Sequence, residues 1–170
     1  LISSNLERLL YSVCGSDTEV AGYMAELAGT GRYEVSDAVK AVIGKHFVGG
    51  YCSDDETKSA INKVYTENGY LMDTHTAVAY NKLAAYRKDT GCVTPAVVVS
   101  TASPYKFCNS VLQALGQESD APGTELIEKL SEVTKTAIPK PLEGLDRREK
   151  RFELVVDKPE MKATVADFLK

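Results

Sequence analysis

Apolar residues recur at helical spacing along most of the chain. Leu6, Leu9, Leu10 and Val13 make one stripe, opened by Ser3 or Ser4 and ended near Gly15. Asp17 opens a second helix with Val20, Met24, Leu27 and Ala28 inward, and Val35, Ala38, Val39, Val42 and Ile43 make a third, closing near Gly44. Ser53 followed by Asp54, Asp55 and Glu56 is a strong start signal: a capping hydroxyl, acids suited to the helix dipole, and Glu56 at the capping-box position. Ala60, Ile61, Val64 and Tyr65 line that fourth helix up to Asn68-Gly69. Asp73 or Thr74 caps a fifth, carrying Ala79, Tyr80, Leu83 and Ala84, before the turn at Asp89-Thr90-Gly91.

Three stretches break this rhythm and read as strands. FVGGYC (47–52) is short and holds two glycines. Val97, Val98 and Val99 form an uninterrupted β-branched run, suited to a strand buried on both faces of a parallel sheet. RFELVV (151–156) is the third. After the valines, Ser103-Pro104 suits a helix start, and Phe107, Val111, Leu112 and Leu115 recur at helical spacing up to Gly116. ESDAPG then reads as a loop, TELIEKLSEV as a helix, AIPKPLEGL as a proline-punctuated connector, and Pro159 as the start of a last helix with Met161, Val165, Phe168 and Leu169. The expected fold class is therefore α/β: a helix-rich unit over residues 1–170 with a small, mainly parallel sheet of two or three strands. Two or three strands are too few for a complete doubly wound sheet, so the pattern reads as part of a larger one, its motif-bearing portion 1–116 and its C-terminal portion 117–170.

Charge and composition narrow the function. A net charge of -4 and the lack of a basic stripe interleaved with aromatics argue against a nucleic-acid surface. RREKR (147–151) is diluted by Asp146, Glu149 and Glu153 and reads as a solvated face. The four cysteines, Cys14, Cys52, Cys92 and Cys108, form no C-x-x-C pair, and with only two histidines, His46 and His75, no metal centre is expected. No apolar run is long enough for a bilayer and no signal peptide is visible, so reduced thiols and a cytoplasmic location are expected. A cysteine hydrolase using Cys52 or Cys108 finds no support in the spacing.

Three polar clusters precede helices: SSNLERLL (3–10), DTHTAVAY (73–80) and STASPYKF (100–107). Each serves as a cap, and each also aims free N–H groups at whatever lies ahead of it. In order, ISSNLERLLY, FVGGYCSDDETKSAI, GYLMDTHTAVAY and VVVSTASPYKF resemble the C-terminal portion of the threonine synthase family, which are fold-type-II pyridoxal phosphate enzymes. The resemblance runs over about residues 1–116 and more loosely through IPKPLEGL to the DKPEMKATVADFL helix.

That resemblance implies conversion of O-phospho-L-homoserine and water into L-threonine and phosphate on pyridoxal 5'-phosphate. It implies that Thr101, with Ser100 in reserve, faces the cofactor's pyridine nitrogen, while Ser103 caps the helix. It further implies substrate contacts for Asn5 and Arg8, whose guanidinium fork suits phosphate, and for His75. Without it, Arg8 reads equally as a surface partner of an acid and His75 as a helix-start residue. Lys106 is not the cofactor lysine, which in the family sits in a Ser-x-Lys-Asp type motif upstream.

The departures matter. The family often has Pro where this chain has Thr74, and His where it has Ser103. The cofactor-lysine motif and the glycine-rich phosphate cradle are missing, so no catalytic residue is assigned and the chain by itself is expected to be inactive, with the N-terminal part of the same enzyme as its partner. Uncovered apolar surface would favour self-association. The alternative is a free-standing, non-catalytic α/β binding or regulatory module derived from that family.

Overall fold

The computed structural model describes residues 3–118, 121, 123–149 and 151–170. Backbone contacts divide the chain into two compact units, Leu1–Gly50 and Tyr51–Lys170.

The first unit is three helices: α1 (Ser4–Cys14), α2 (Asp17–Thr30) and α3 (Asp37–Ile43). Each start is set by a serine whose hydroxyl accepts from a first-turn amide: Ser3 from Leu6, Ser16 from Glu19, Ser36 from Val39. Gly15 and Gly31 end the first two in the left-handed region. The stripes meet at one buried residue per helix, Leu10, Val20 and Val39, with Val13, Tyr23, Met24 and Ile43 packed around them. Tyr23 stacks on Tyr33 at 5.5 Å and donates to Glu19 at 2.5 Å.

The second unit holds the larger core. Helix α4 (Asp54–Asn68) opens on the expected capping box: Ser53 Oγ accepts from the Glu56 amide at 3.2 Å, and Glu56 accepts from the Ser53 amide at 2.7 Å. Helix α5 (Thr74–Thr90) is capped by Asp73, and α6 (Cys108–Ala114) follows a 3-10 turn over Pro104–Phe107 whose cap is Ser103. Helix α7 (Glu125–Thr134) and the C-terminal α8 (Met161–Phe168) complete it. Ile61, Val64, Val111, Leu112, Leu126 and Leu130 fill the centre. At about 1.5–3 kcal/mol for burying each large aliphatic side chain, that centre is what holds α4, α6 and α7 together.

The expected sheet is not there. Among the described residues no strand forms, and 47–52, 97–99 and 151–156 run as irregular extended chain. Val97 is 89% exposed, Val99 67% and Phe152 73%, the opposite of a strand covered on both faces. A strand lasts only when a neighbour takes up its N–H and C=O groups, and among the described residues no second strand pairs with these segments. The α/β expectation is thus corrected to an all-helical one. Of the expected ESDAPG loop, Ser119, Asp120 and Pro122 lie outside the described residues, as do Leu1, Ile2 and Lys150 of RREKR. No helix among the described residues is long and apolar enough to cross a membrane.

Candidate functional site

The head of α5 is the most organised polar point of the second unit. Asp73 has no exposed surface, although it carries a carboxylate. Its Oδ1 accepts from the amides of His75 at 2.8 Å and Thr76 at 3.4 Å, and its Oδ2 accepts from the Thr76 hydroxyl. Those donors, with the positive end of α5, are what let an acid sit in the interior. The Thr76 hydroxyl, also buried, lies 3.3 Å from Ser100 Oγ. A carboxylate in the interior is thereby linked through one hydroxyl to the exposed 100–101 step.

Three expected site residues gather here. His75 is exposed, its Nδ1 3.3 Å from Asp73 Oδ1 and its ring 5.0 Å from Phe107, which belongs to the turn after Ser103. Ser100 meets Thr76, and the adjacent Thr101 is exposed, its hydroxyl without a hydrogen bond among the described residues. Ser103 keeps its capping role, accepting from the Tyr105 amide at 3.2 Å.

A cleft of about 390 Å³ opens in front of α4 and α5, lined by Cys52, Thr57, Lys58, Thr74, His75 and Gln113. Ser100 and Thr101 do not line it, so His75 is the expected residue that faces it. The chain after Ser103 is fixed from behind: the Tyr105 hydroxyl donates to the Thr136 carbonyl at 2.8 Å, and Ser131 donates to that same carbonyl at 2.8 Å.

Asn5 and Arg8 lie in the first unit. The Arg8 guanidinium donates to Asn5 Oδ1 one turn away, so the two act as a pair, and Arg8 faces a separate cleft of about 460 Å³ with Ser4, Glu7, Tyr11 and Asp17. The anionic neighbours Glu7 and Asp17 share that cleft with the guanidinium.

Sequence reasoning named Asp73 only as one of two caps and did not single out Thr76. The available signal was an Asp with a Thr three positions on, the spacing at which a cap and the third helical residue bond to each other. Burial of the pair was not visible, because it depends on what covers them.

Comparison with known proteins gives the family of the chain. The family described as "Threonine synthase, C-terminal" matches residues 76–166. Human "Threonine synthase-like 1" is 36% identical over 117 residues, covering 68% of this chain and 15% of that protein. The threonine synthase of Pseudomonas aeruginosa is 32% identical over 124 residues, 72% of this chain and 26% of its own length. Among solved structures, yeast threonine synthase superposes with a TM-score of 0.70 at 26% identity, over 99% of this chain and 35% of that one. A threonine synthase from Brucella melitensis with PLP bound gives 0.54 at 33% identity, over 81% and 28%. The chain thus spans between about a seventh and a third of the proteins it is similar to.

Proposed function

The chain belongs to the threonine synthase C-terminal family, and from that premise we propose that it forms one part of a pyridoxal-phosphate-dependent threonine synthase acting in the cytoplasm. The reaction is the conversion of O-phospho-L-homoserine and water to L-threonine and phosphate. The observation that carries the reading is the Asp73–Thr76–Ser100 connection, which ties a buried carboxylate to the hydroxyls of Thr76 and Ser100, both inside the family match.

The residues present fit one wall of a cofactor site. The Thr101 hydroxyl is exposed and unengaged, so it is free to meet a heteroaromatic nitrogen, and being neutral it does not favour a fully protonated pyridinium. When bound, pyridoxal phosphate supplies carbanion stabilisation, while the protein aims the substrate and tunes the ring. Ser100 steadies the step beside Thr101. Arg8, oriented by Asn5, meets the substrate's phosphate with its planar donor fork. His75, its Nδ1 beside Asp73, offers Nε2 toward substrate in the cleft ahead of α5. No cofactor lysine lies in a matching motif here, so this chain binds and orients, and by itself does not turn over.

The test is the open reading frame that encodes the chain. Expressed whole with pyridoxal phosphate, it is expected to release phosphate from O-phospho-L-homoserine and form threonine, whereas the 170-residue chain does neither. A complete, folded, cofactor-loaded protein that leaves O-phospho-L-homoserine untouched overturns the assignment.

A further inference from the structure

The cleft ahead of α5 carries both signs of charge and leaves them unjoined. Asp54 and Lys58 both line it, four positions apart on α4. That is the spacing at which an acid and a base pair on a helix surface, and the acid stands on the favourable, N-terminal side. Among the described residues, however, neither enters an ion pair. Asp54 is accounted for by its place in the first turn, where the helix dipole favours an acid. Lys58 has no such account: it is half-buried in the second turn, far from the C-terminal end that suits a cation. Neutral polar groups complete the lining. Thr74 and His75 come from α5, and Ser110 and Gln113 from α6. The Gln113 Nε2 donates to Asn109 Oδ1 at 3.3 Å, and its carbonyl oxygen has no partner among the described residues.

We propose that this cleft binds a free α-amino acid with a polar side chain, its carboxylate on Lys58, its ammonium on Asp54, and its side-chain hydroxyl on Ser110 and Gln113. One cation, one anion and neutral donors and acceptors within about 390 Å³ are the complement of a small zwitterion. Both charged ends then make charge-assisted bonds, the stronger kind. A bare anion fits less well, because Asp54 repels it. The proposal rests on the reading of this cleft as the place where His75 meets substrate, and deepens it: substrate and product of the proposed reaction are both α-amino acids, and Asp54 and Lys58 read the two ends that they share. Both contacts come from this chain's own side chains, so binding needs no cofactor.

The experiment uses the 170-residue chain without cofactor, so its failure leaves the phosphate-release test of the complete protein standing, and the reverse holds too. L-threonine is titrated into the chain while the amide resonances of Lys58, His75 and Gln113 are followed. Two truncated probes run beside it: β-hydroxybutyrate, which is threonine without its amine, and isopropanolamine, which is threonine without its carboxylate. L-threonine is expected to shift the three resonances saturably, and each truncated probe to bind roughly three- to tenfold more weakly, the worth of one charged hydrogen bond partly open to water. Two variants then assign the ends. Lys58→Gln weakens L-threonine by that factor and leaves isopropanolamine unaffected, whereas Asp54→Asn weakens L-threonine and leaves β-hydroxybutyrate unaffected. A merely structural role would weaken every probe alike in both variants. Neither side chain belongs to the core, and a circular dichroism spectrum matching the parent checks that α4 is intact; should a variant fail that check, the three titrations of the parent decide the matter. L-threonine that shifts none of these resonances at millimolar concentration, that binds no better than the truncated probes, or that responds to the variants just as both probes do, overturns the proposal.

Discussion

The phenol of Tyr105 donates to the main-chain carbonyl of Thr136 at 2.8 Å, and its oxygen lies 2.8 Å from the Thr136 hydroxyl. Thirty-one positions separate the two residues, and the contact fastens the segment after Ser103 to the chain leaving α7. Lys135, the left-handed C-cap of α7 at φ 56°, turns the backbone just before Thr136. Tyr105→Phe keeps the buried ring and removes the donor. It is expected to destabilise the second unit by about 1 kcal/mol, read as a lower urea midpoint with an unchanged m-value.

Thr101→Ala, made in the complete enzyme, is expected to alter the absorbance of the bound cofactor and to lower turnover while the circular dichroism stays unchanged. Ser100→Ala should change both less. Kinetics and spectrum identical to the parent would remove Thr101 from the site.

Much of this was legible beforehand. The caps at Ser3, Ser53, Asp73 and Ser103 are local chemistry, a short side chain meeting amides two or three residues ahead, and they stand where the sequence puts them. The helical stripes of α4 and α6 likewise find the core, because Ile61 and Leu112 face inward whichever helix covers them. Strand formation is not local in this sense. Val97 to Val99 have the composition of a buried strand, but a ladder needs a second strand, and composition says nothing of whether one is at hand. Among the expected site residues, the meeting of Ser100 with the head of α5 spans twenty-four positions and depends on tertiary packing. Thr76 escaped notice because a threonine inside a helix has no chemical signature until it is buried beside a charge.

Glu56 makes a pH-dependent contribution. The Ser53 amide, and then its hydroxyl, hold the Glu56 carboxyl below its ordinary value of 4.5. A depressed carboxyl stabilises the fold above the unfolded-state value, and the contribution is lost as pH falls through the folded one. The gap in urea midpoint between the parent and Glu56→Ala should therefore be constant near neutrality and shrink as the pH drops below about 4.5.

The thiols should separate by reactivity. Hydrogen bonding from Thr94 lowers the Cys92 thiol's pKa, whereas burial raises that of Cys108. Since the thiolate is the reacting form, iodoacetamide near neutral pH is expected to modify Cys92 well before Cys108, which reacts only on unfolding. Peptide mass spectrometry over a time course gives the order.

Val93, Val97 and Val99 are exposed, as are Phe152, Val155, Phe168 and Leu169. Such surface favours association, so the isolated chain is expected to elute at a larger apparent size as its concentration rises. Val97→Asp should weaken that dependence with stability changed by no more than about 0.5 kcal/mol, as for an exposed site. A single monomeric peak at every concentration would show these residues to be inert.

One carboxylate both closes the first turn of α5 and holds the Thr76–Ser100 hydroxyl pair that leads out from it. Fraying of that turn and loss of order at the pair are consequently a single event, not two. Mass action follows: a molecule that selects the ordered pair also protects the helix head from opening, by an amount that grows with its concentration over its dissociation constant. Amide hydrogen exchange at His75 and Thr76 would then serve as a gauge of occupancy at a point neither backbone touches.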